Sequence, residues 1–132
     1  MSKGRILCTE DDADSRDMIV MMLETSGYEV VCPADSALAL ELAEHQHFDL
    51  CLLDNWATGL TGVQLTARIR AFNKKVPILF YSGVAGEEEE QKAFAAGAQG
   101  YLTKPDGIDN LTQEIDRLIQ HSRSVVRSVC RG

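Results

Sequence analysis

Five side chains in this sequence could jointly handle a charged oxygen ligand: Glu10, Asp11, Asp54, Ser82 and Lys104. Each lies at or just past the end of a short apolar run. RILCT precedes Glu10-Asp11-Asp12, LCLL precedes Asp54, the stretch Val76 to Tyr81 precedes Ser82, and GYLT precedes Lys104. Singly they have ordinary explanations. Asp54 could cap the glycine-bearing loop Asn55 to Gly62 that follows it, Asp12 reads as a helix N-cap, and a lone lysine is solvated by default. Together they need a common cause, because carboxylates gathered at one rim repel each other unless a cation stands among them. Hard oxygen donors in a small, partly hydrated cluster suit Mg²⁺, which keeps several waters and binds through one or two carboxylates.

Whether these groups share a rim depends on the elements that carry them. Leu50-Cys51-Leu52-Leu53 is too short for a helix and too apolar for a half-exposed strand. It reads as a strand buried on both faces, as in a parallel sheet. Further strands are expected at Arg5 to Thr9, Tyr28 to Cys32, Val76 to Tyr81 and Gly100 to Thr103. Helices are expected at Asp14 to Ser26, from Asp35 or Ser36 to about Glu44, at Val63 to Ala71, at Glu87 to Ala96, and from Ile108 past Leu118. Met18, Met22 and Leu23 on the first helix and Leu38 and Leu42 on the second should face inward, while Gly27 and Gly97 stop helices. Glu87 to Glu90 fall in the first turn of the fourth helix, where the macrodipole favours negative charge.

Five strands alternating with five helices predict an α/β fold, a doubly wound five-stranded parallel sheet with right-handed crossovers. In the strand order 2-1-3-4-5 the first and third strands are neighbours, and every carboxyl end opens on the same edge. The five polar side chains then meet. Residues 1–121 are expected to form this domain. Residues 122–132, with Arg123, Arg127 and Arg131 four apart, would form a tail or extend the last helix.

Composition narrows the partners. With 132 residues, 45% apolar and 25% charged, the chain can bury a proper core as one domain. A net charge of −7 argues against nucleic acid or an anionic membrane as the main partner. No apolar run approaches membrane-spanning length and the N-terminus lacks a signal peptide's apolar core, so a soluble, cytoplasmic protein is expected. Cys8, Cys32, Cys51 and Cys130 show no C-x-x-C spacing and read as buried reduced thiols.

On these motifs (Glu10-Asp11 after ILCT, Leu53-Asp54, Ser82-Gly83 after ILFY, Lys104-Pro105 after GYLT) the chain resembles, from about Lys3 to Gln120, the receiver domain of two-component response regulators. The resemblance implies a flavodoxin-like receiver fold and a stand-alone phosphoacceptor. Asp54 would take a phosphoryl group from a phosphohistidine on a sensor histidine kinase or histidine phosphotransfer protein. Glu10, Asp11, Asp54 and the backbone carbonyl of Trp56 would hold Mg²⁺ (or Mn²⁺). Ser82 and Lys104 would meet phosphoryl oxygens, and Ser82 and Tyr101 would switch to signal to a downstream protein partner. Such a domain is no ordinary enzyme, since it catalyses only its own phosphorylation and dephosphorylation. The physics is consistent: a carboxylate attacking a phosphoryl group is one anion approaching another, so charge neutralisation and in-line positioning dominate.

The sequence also departs from the family. Thr58 and Thr61 stand where the loop commonly has a proline and a second aspartate, and Asp106 replaces a usual apolar residue after Lys104-Pro105. Trp56 and Val84 would flank the pocket and shield an acyl phosphate from water. Two other readings remain: a receiver-like scaffold that binds its partner without phosphorylation, and a fragment of a larger regulator or hybrid kinase. A flavin-phosphate carrier is disfavoured because Glu10-Asp11-Asp12 would repel the phosphate. A dehalogenase-type phosphatase would need an aspartate where Trp56 stands.

Overall fold

In a computed structural model of the chain, residues 2–55, 58–84, 86–104 and 108–131 are described, by backbone alone at 108, 109 and 125–131. Strands β1 (Arg5–Cys8), β2 (Glu29–Val31), β3 (Leu50–Leu53), β4 (Ile78–Ser82) and β5 (Gly100–Thr103) form one parallel sheet in the order β2-β1-β3-β4-β5. This is the order expected from the sequence. Helices α1 (Ala13–Thr25), α2 (Ser36–His45), α3 (Gly62–Arg70), α4 (Glu87–Ala96) and α5 (Ile108–Arg131) alternate with the strands. Among the described residues no helix is long and apolar enough to cross a membrane.

Every residue of β3 and β4 is buried, because side chains alternate across the sheet and helices cover both faces. Ile6, Leu50, Leu52 and Leu79 point to one side, against Ile19 and Leu23 of α1 and Leu111, Ile115 and Leu118 of α5. Leu7, Cys51, Leu53, Ile78 and Phe80 point to the other, against Ala39 of α2, Leu65 and Ile69 of α3 and Ala93 of α4. Each such aliphatic or aromatic side chain contributes roughly 1.5–3 kcal/mol by leaving water.

The helices begin where side chains satisfy the first free N–H groups. Asp12 accepts from Ser15 N at 2.9 Å and Asp35 from Leu38 N at 2.8 Å. Thr61 and Gln64 cap α3 reciprocally. Two side chains expected in the core stand outside it: Met18 is 45% exposed and Leu38 42%. Ile19, Met22 and Leu23 line the inner face of α1, and Ala39, Leu42 and Ala43 that of α2. The run from Met18 to Leu23 is apolar without a break, so hydrophobicity alone leaves the rotation of the helix undetermined.

At the opposite edge from the acids, Asp49 ties three elements together. Its Oδ2 accepts from Arg5 N at 2.7 Å, while Oδ1 meets His47 Nε2 at 3.3 Å and Arg123 Nη2 at 3.4 Å. Burial alone would raise this carboxyl, but the Arg5 N–H, the His47 ring and the Arg123 guanidinium together hold it below its ordinary value of 3.8. A depressed carboxyl contributes stability above that ordinary value and loses it as pH falls through the folded one. Asp49→Asn is expected to cost about 1 kcal/mol at neutral pH and to flatten the fall in urea midpoint below pH 3.8. Parallel acid limbs for the variant and the native chain would refute the linkage.

Candidate functional site

The ladder places the strand ends level with one another. Cys8 pairs with Leu52, Leu53 with Phe80, and Ser82 with Thr103. The next residues along β1, β3 and β5 therefore emerge at one rim, with Ser82 closing β4 beside them. Thr9, Glu10, Asp54, Asn55 and Ser82 are all buried there.

Lys104 joins the acids. Its Nζ donates to Asp54 Oδ2 at 2.9 Å and also to Glu10 Oε2, and it lies 5.5 Å from the Tyr81 ring centroid. Its backbone N–H donates to Ser82 O at 2.7 Å, which fixes where its side chain starts. The same contact moves its two ends differently. Burial dominates at Glu10, whose side chain is only 3% exposed, and raises its pKa despite the Lys104 bond. At Lys104, 19% exposed, burial would lower the value, but the Asp54 and Glu10 bonds together raise it. One ammonium thus serves two buried carboxylates.

Asp11 takes a different position. It is exposed, and its Oδ1 accepts from Thr58 N at 2.9 Å, tying the end of β1 to the loop after β3. Among the described residues no group of three or more His, Cys, Asp or Glu stands close enough to hold a metal ion. The convergence of acids is thus a pair, Glu10 and Asp54, with Asp11 bound to the loop beside it. The Trp56 carbonyl and Asp106 lie outside the described residues. The donor set still suits a hard divalent cation, which needs only one or two carboxylates and completes its shell with water.

Ser82 and Tyr101 meet around Val84. The Ser82 hydroxyl accepts from Val84 N at 3.2 Å, and the Tyr101 hydroxyl donates to Val84 O at 2.6 Å. Asn55 Nδ2 donates to the Tyr101 oxygen at 2.8 Å. The ring stacks on Phe80 with centroids 5.7 Å apart. Tyr101 is therefore lodged inward, touching the residue after Asp54. Tyr101→Phe removes both hydroxyl bonds while keeping the ring, and is expected to cost about 1–2 kcal/mol in urea unfolding. Unchanged stability would mean that water replaces the hydroxyl.

Three contributors escaped the sequence reading. Thr9 accepts from Asp54 N at 3.3 Å through Oγ1. Asn55 holds Tyr101, and Gly62 packs directly beneath the Asp54 carbonyl. Thr9 and Asn55 each adjoin an acid already singled out, and that adjacency was the available signal.

The fold and site define a doubly wound parallel α/β class with a lysine-bridged acid pair at the carboxyl edge of the sheet. Residues 6–116 match the response regulator receiver domain, and the chain belongs to that family. A probable transcriptional regulatory protein of Picosynechococcus is 33% identical over 131 residues, covering 94% of this chain and 52% of that protein. The cell cycle response regulator CtrA of Brucella abortus is 30% identical over 125 residues, covering 95% of this chain and 54% of its own. The chain thus spans about half the length of these relatives. The solved receiver domain of sensor histidine kinase PA1611 from Pseudomonas aeruginosa has a magnesium ion coordinated in its active-site cleft. It matches with a TM-score of 0.81 at 32% identity, over 89% of this chain and 98% of that one.

Proposed function

We propose that this domain accepts a phosphoryl group on Asp54 from a phosphohistidine and signals the event to a protein partner. The observation that carries this reading is the Lys104 ammonium bridging Glu10 and Asp54 at the rim of the sheet. In the transfer an Asp54 carboxylate oxygen forms a bond to phosphorus, the phosphorus–imidazole nitrogen bond breaks, and the donor histidine leaves. Lys104 lies close enough to the Asp54 oxygen to neutralise charge on the arriving phosphoryl oxygens. Glu10, Asp11, Asp54 and the Trp56 carbonyl would hold Mg²⁺ or Mn²⁺, which would supply further charge neutralisation.

Ser82 supplies a hydroxyl to the phosphoryl group, and giving up its Val84 contact disturbs the atoms that hold Tyr101. The donor is a sensor histidine kinase or a histidine phosphotransfer protein, the receiver of the signal is another protein, and nucleic acid is not contacted by this domain. The domain spans residues 1–121 with 122–132 as a tail or extension, α5 itself running to Arg131; it acts in the cytoplasm and catalyses only its own phosphorylation and dephosphorylation.

The test compares the native chain with Asp54→Asn, using labelled acetyl phosphate with and without Mg²⁺. Expected is Mg²⁺-dependent, alkali-labile labelling of the native chain and background labelling of the variant. Label retained on Asp54→Asn moves the acceptor elsewhere. No labelling of either protein sinks the proposal.

A further inference from the structure

Away from the acid pair, the fold sets two nucleophiles side by side. β1 and β2 run parallel with Leu7 opposite Val31, so the next step of the register brings Cys8 opposite Cys32. Both lie on the same face of the sheet, Cys8 inside the core under α1 and α5 and Cys32 packed against it from the edge. Cys8 is fully buried, whereas Cys32 is half-buried and lines an open groove of about 620 Å³ together with Arg16, Val20 and Val30. A small reagent therefore reaches Cys32 first, with Cys8 directly behind it.

Neighbouring strands stand about 4.7–4.9 Å apart, within the Cα separation of roughly 4.4–6.8 Å that a disulfide spans. In a parallel pair the Cβ atoms point side by side, so the bridge closes only if the strand ends lean together. A bridge under such strain is of the readily reduced kind.

We propose that Cys8 and Cys32 form a reversible dithiol–disulfide site whose oxidant is a peroxide. The Cys32 sulfur attacks one peroxide oxygen, the O–O bond breaks, and water leaves with the thiol proton, giving a sulfenic acid. The Cys8 sulfur then attacks the Cys32 sulfur, and the departing hydroxide takes the Cys8 proton as a second water. Two thiols are oxidised, one hydrogen peroxide is reduced to two waters, and a dithiol reductant reverses the change. Closure also draws the end of β1 away from β3, where Leu52 is the ladder partner of Cys8, and so shifts Glu10. This coupling rests on the acceptor reading of Asp54; the pairing does not.

The experiment treats the full chain with hydrogen peroxide, removes the excess, unfolds the chain in urea so that buried thiols are reached, alkylates the free thiols and maps the peptides by mass. Alkylated cysteines are expected to fall from four to two, with a Cys8–Cys32 peptide pair that dithiothreitol dissolves. Cys32→Ser, at a half-buried position, abolishes the response, while Cys51→Ser and Cys130→Ser keep it. Four alkylated thiols after treatment, a pair involving Cys51 or Cys130, or Cys32 halted as a sulfinic acid would each overturn the pairing. Oxidised protein is further expected to take up phosphoryl groups from acetyl phosphate several-fold more slowly than reduced protein. A formed disulfide with unaltered uptake overturns the coupling, and no uptake by the reduced protein overturns the acceptor reading instead.

Discussion

Lys104→Met is expected to slow phosphoryl uptake about 10²–10³-fold and, in the same protein, to tighten Mg²⁺ binding about tenfold. The two effects have one origin. The ammonium bonds Glu10 and Asp54 at once, so it holds the oxygens that a divalent cation would take. Methionine keeps the length and apolar stem beside Tyr81 but removes the charge. A cation then meets two carboxylates released from the ammonium, and binding strengthens by roughly the value of a charged hydrogen bond, about 1.5–3 kcal/mol at most. Phosphoryl transfer suffers because positive charge is missing where the new anion arrives.

The same substitution should destabilise the cation-free protein. Removing one partner of a buried ion pair costs about 3–5 kcal/mol, and the low end applies here because Lys104 keeps 19% of its side chain in water. Added Mg²⁺ should restore more stability to the variant than to the native chain. Titration calorimetry, urea unfolding with and without Mg²⁺ and acetyl phosphate labelling measure the three effects. Mg²⁺ affinity that stays constant or weakens would show that lysine and cation do not share oxygens.

Much of this arrangement was legible because local pattern and tertiary role coincide. LCLL had to be buried on both faces, and the residue ending it had to open on the ligand edge; Asp54 does so. Asp12 and Asp35 cap helices because their side-chain oxygens reach backbone N–H groups only a few residues away. What stayed hidden depends on distances that no local pattern encodes. Leu38 is apolar at a plausible helical position, yet the phase of α2 is set by Ala39 fitting closely under the sheet. Asp11 sits one residue from Glu10 but turns to Thr58, 47 residues away. The same long-range closure puts the Tyr101 hydroxyl on Asn55 and Val84, which the spacing of the motifs gave no means of foreseeing.

Gly62→Ala is expected to destabilise the fold by about 1–3 kcal/mol, although alanine is the better helix former. Gly62 is the first residue of α3, held in place by the Thr61–Gln64 cap and by its own N–H donating to Asn55 O at 3.2 Å. A Cβ there would stand 2.6 Å from the Asp54 carbonyl oxygen and 2.7 Å from Phe80 Cε2. Neither neighbour can yield cheaply, since one is backbone and the other is a fully buried ring stacked on Tyr101. Gly83→Ala is the matched control, because among the described residues nothing lies within 4 Å of its added methyl, and it should change stability by less than about 0.5 kcal/mol. The displaced carbonyl belongs to Asp54 itself, so labelling by acetyl phosphate should fall further in Gly62→Ala than in Asp49→Asn. Urea midpoints that place Gly62→Ala level with Gly83→Ala would show that α3 can slide off the end of β3 at little cost.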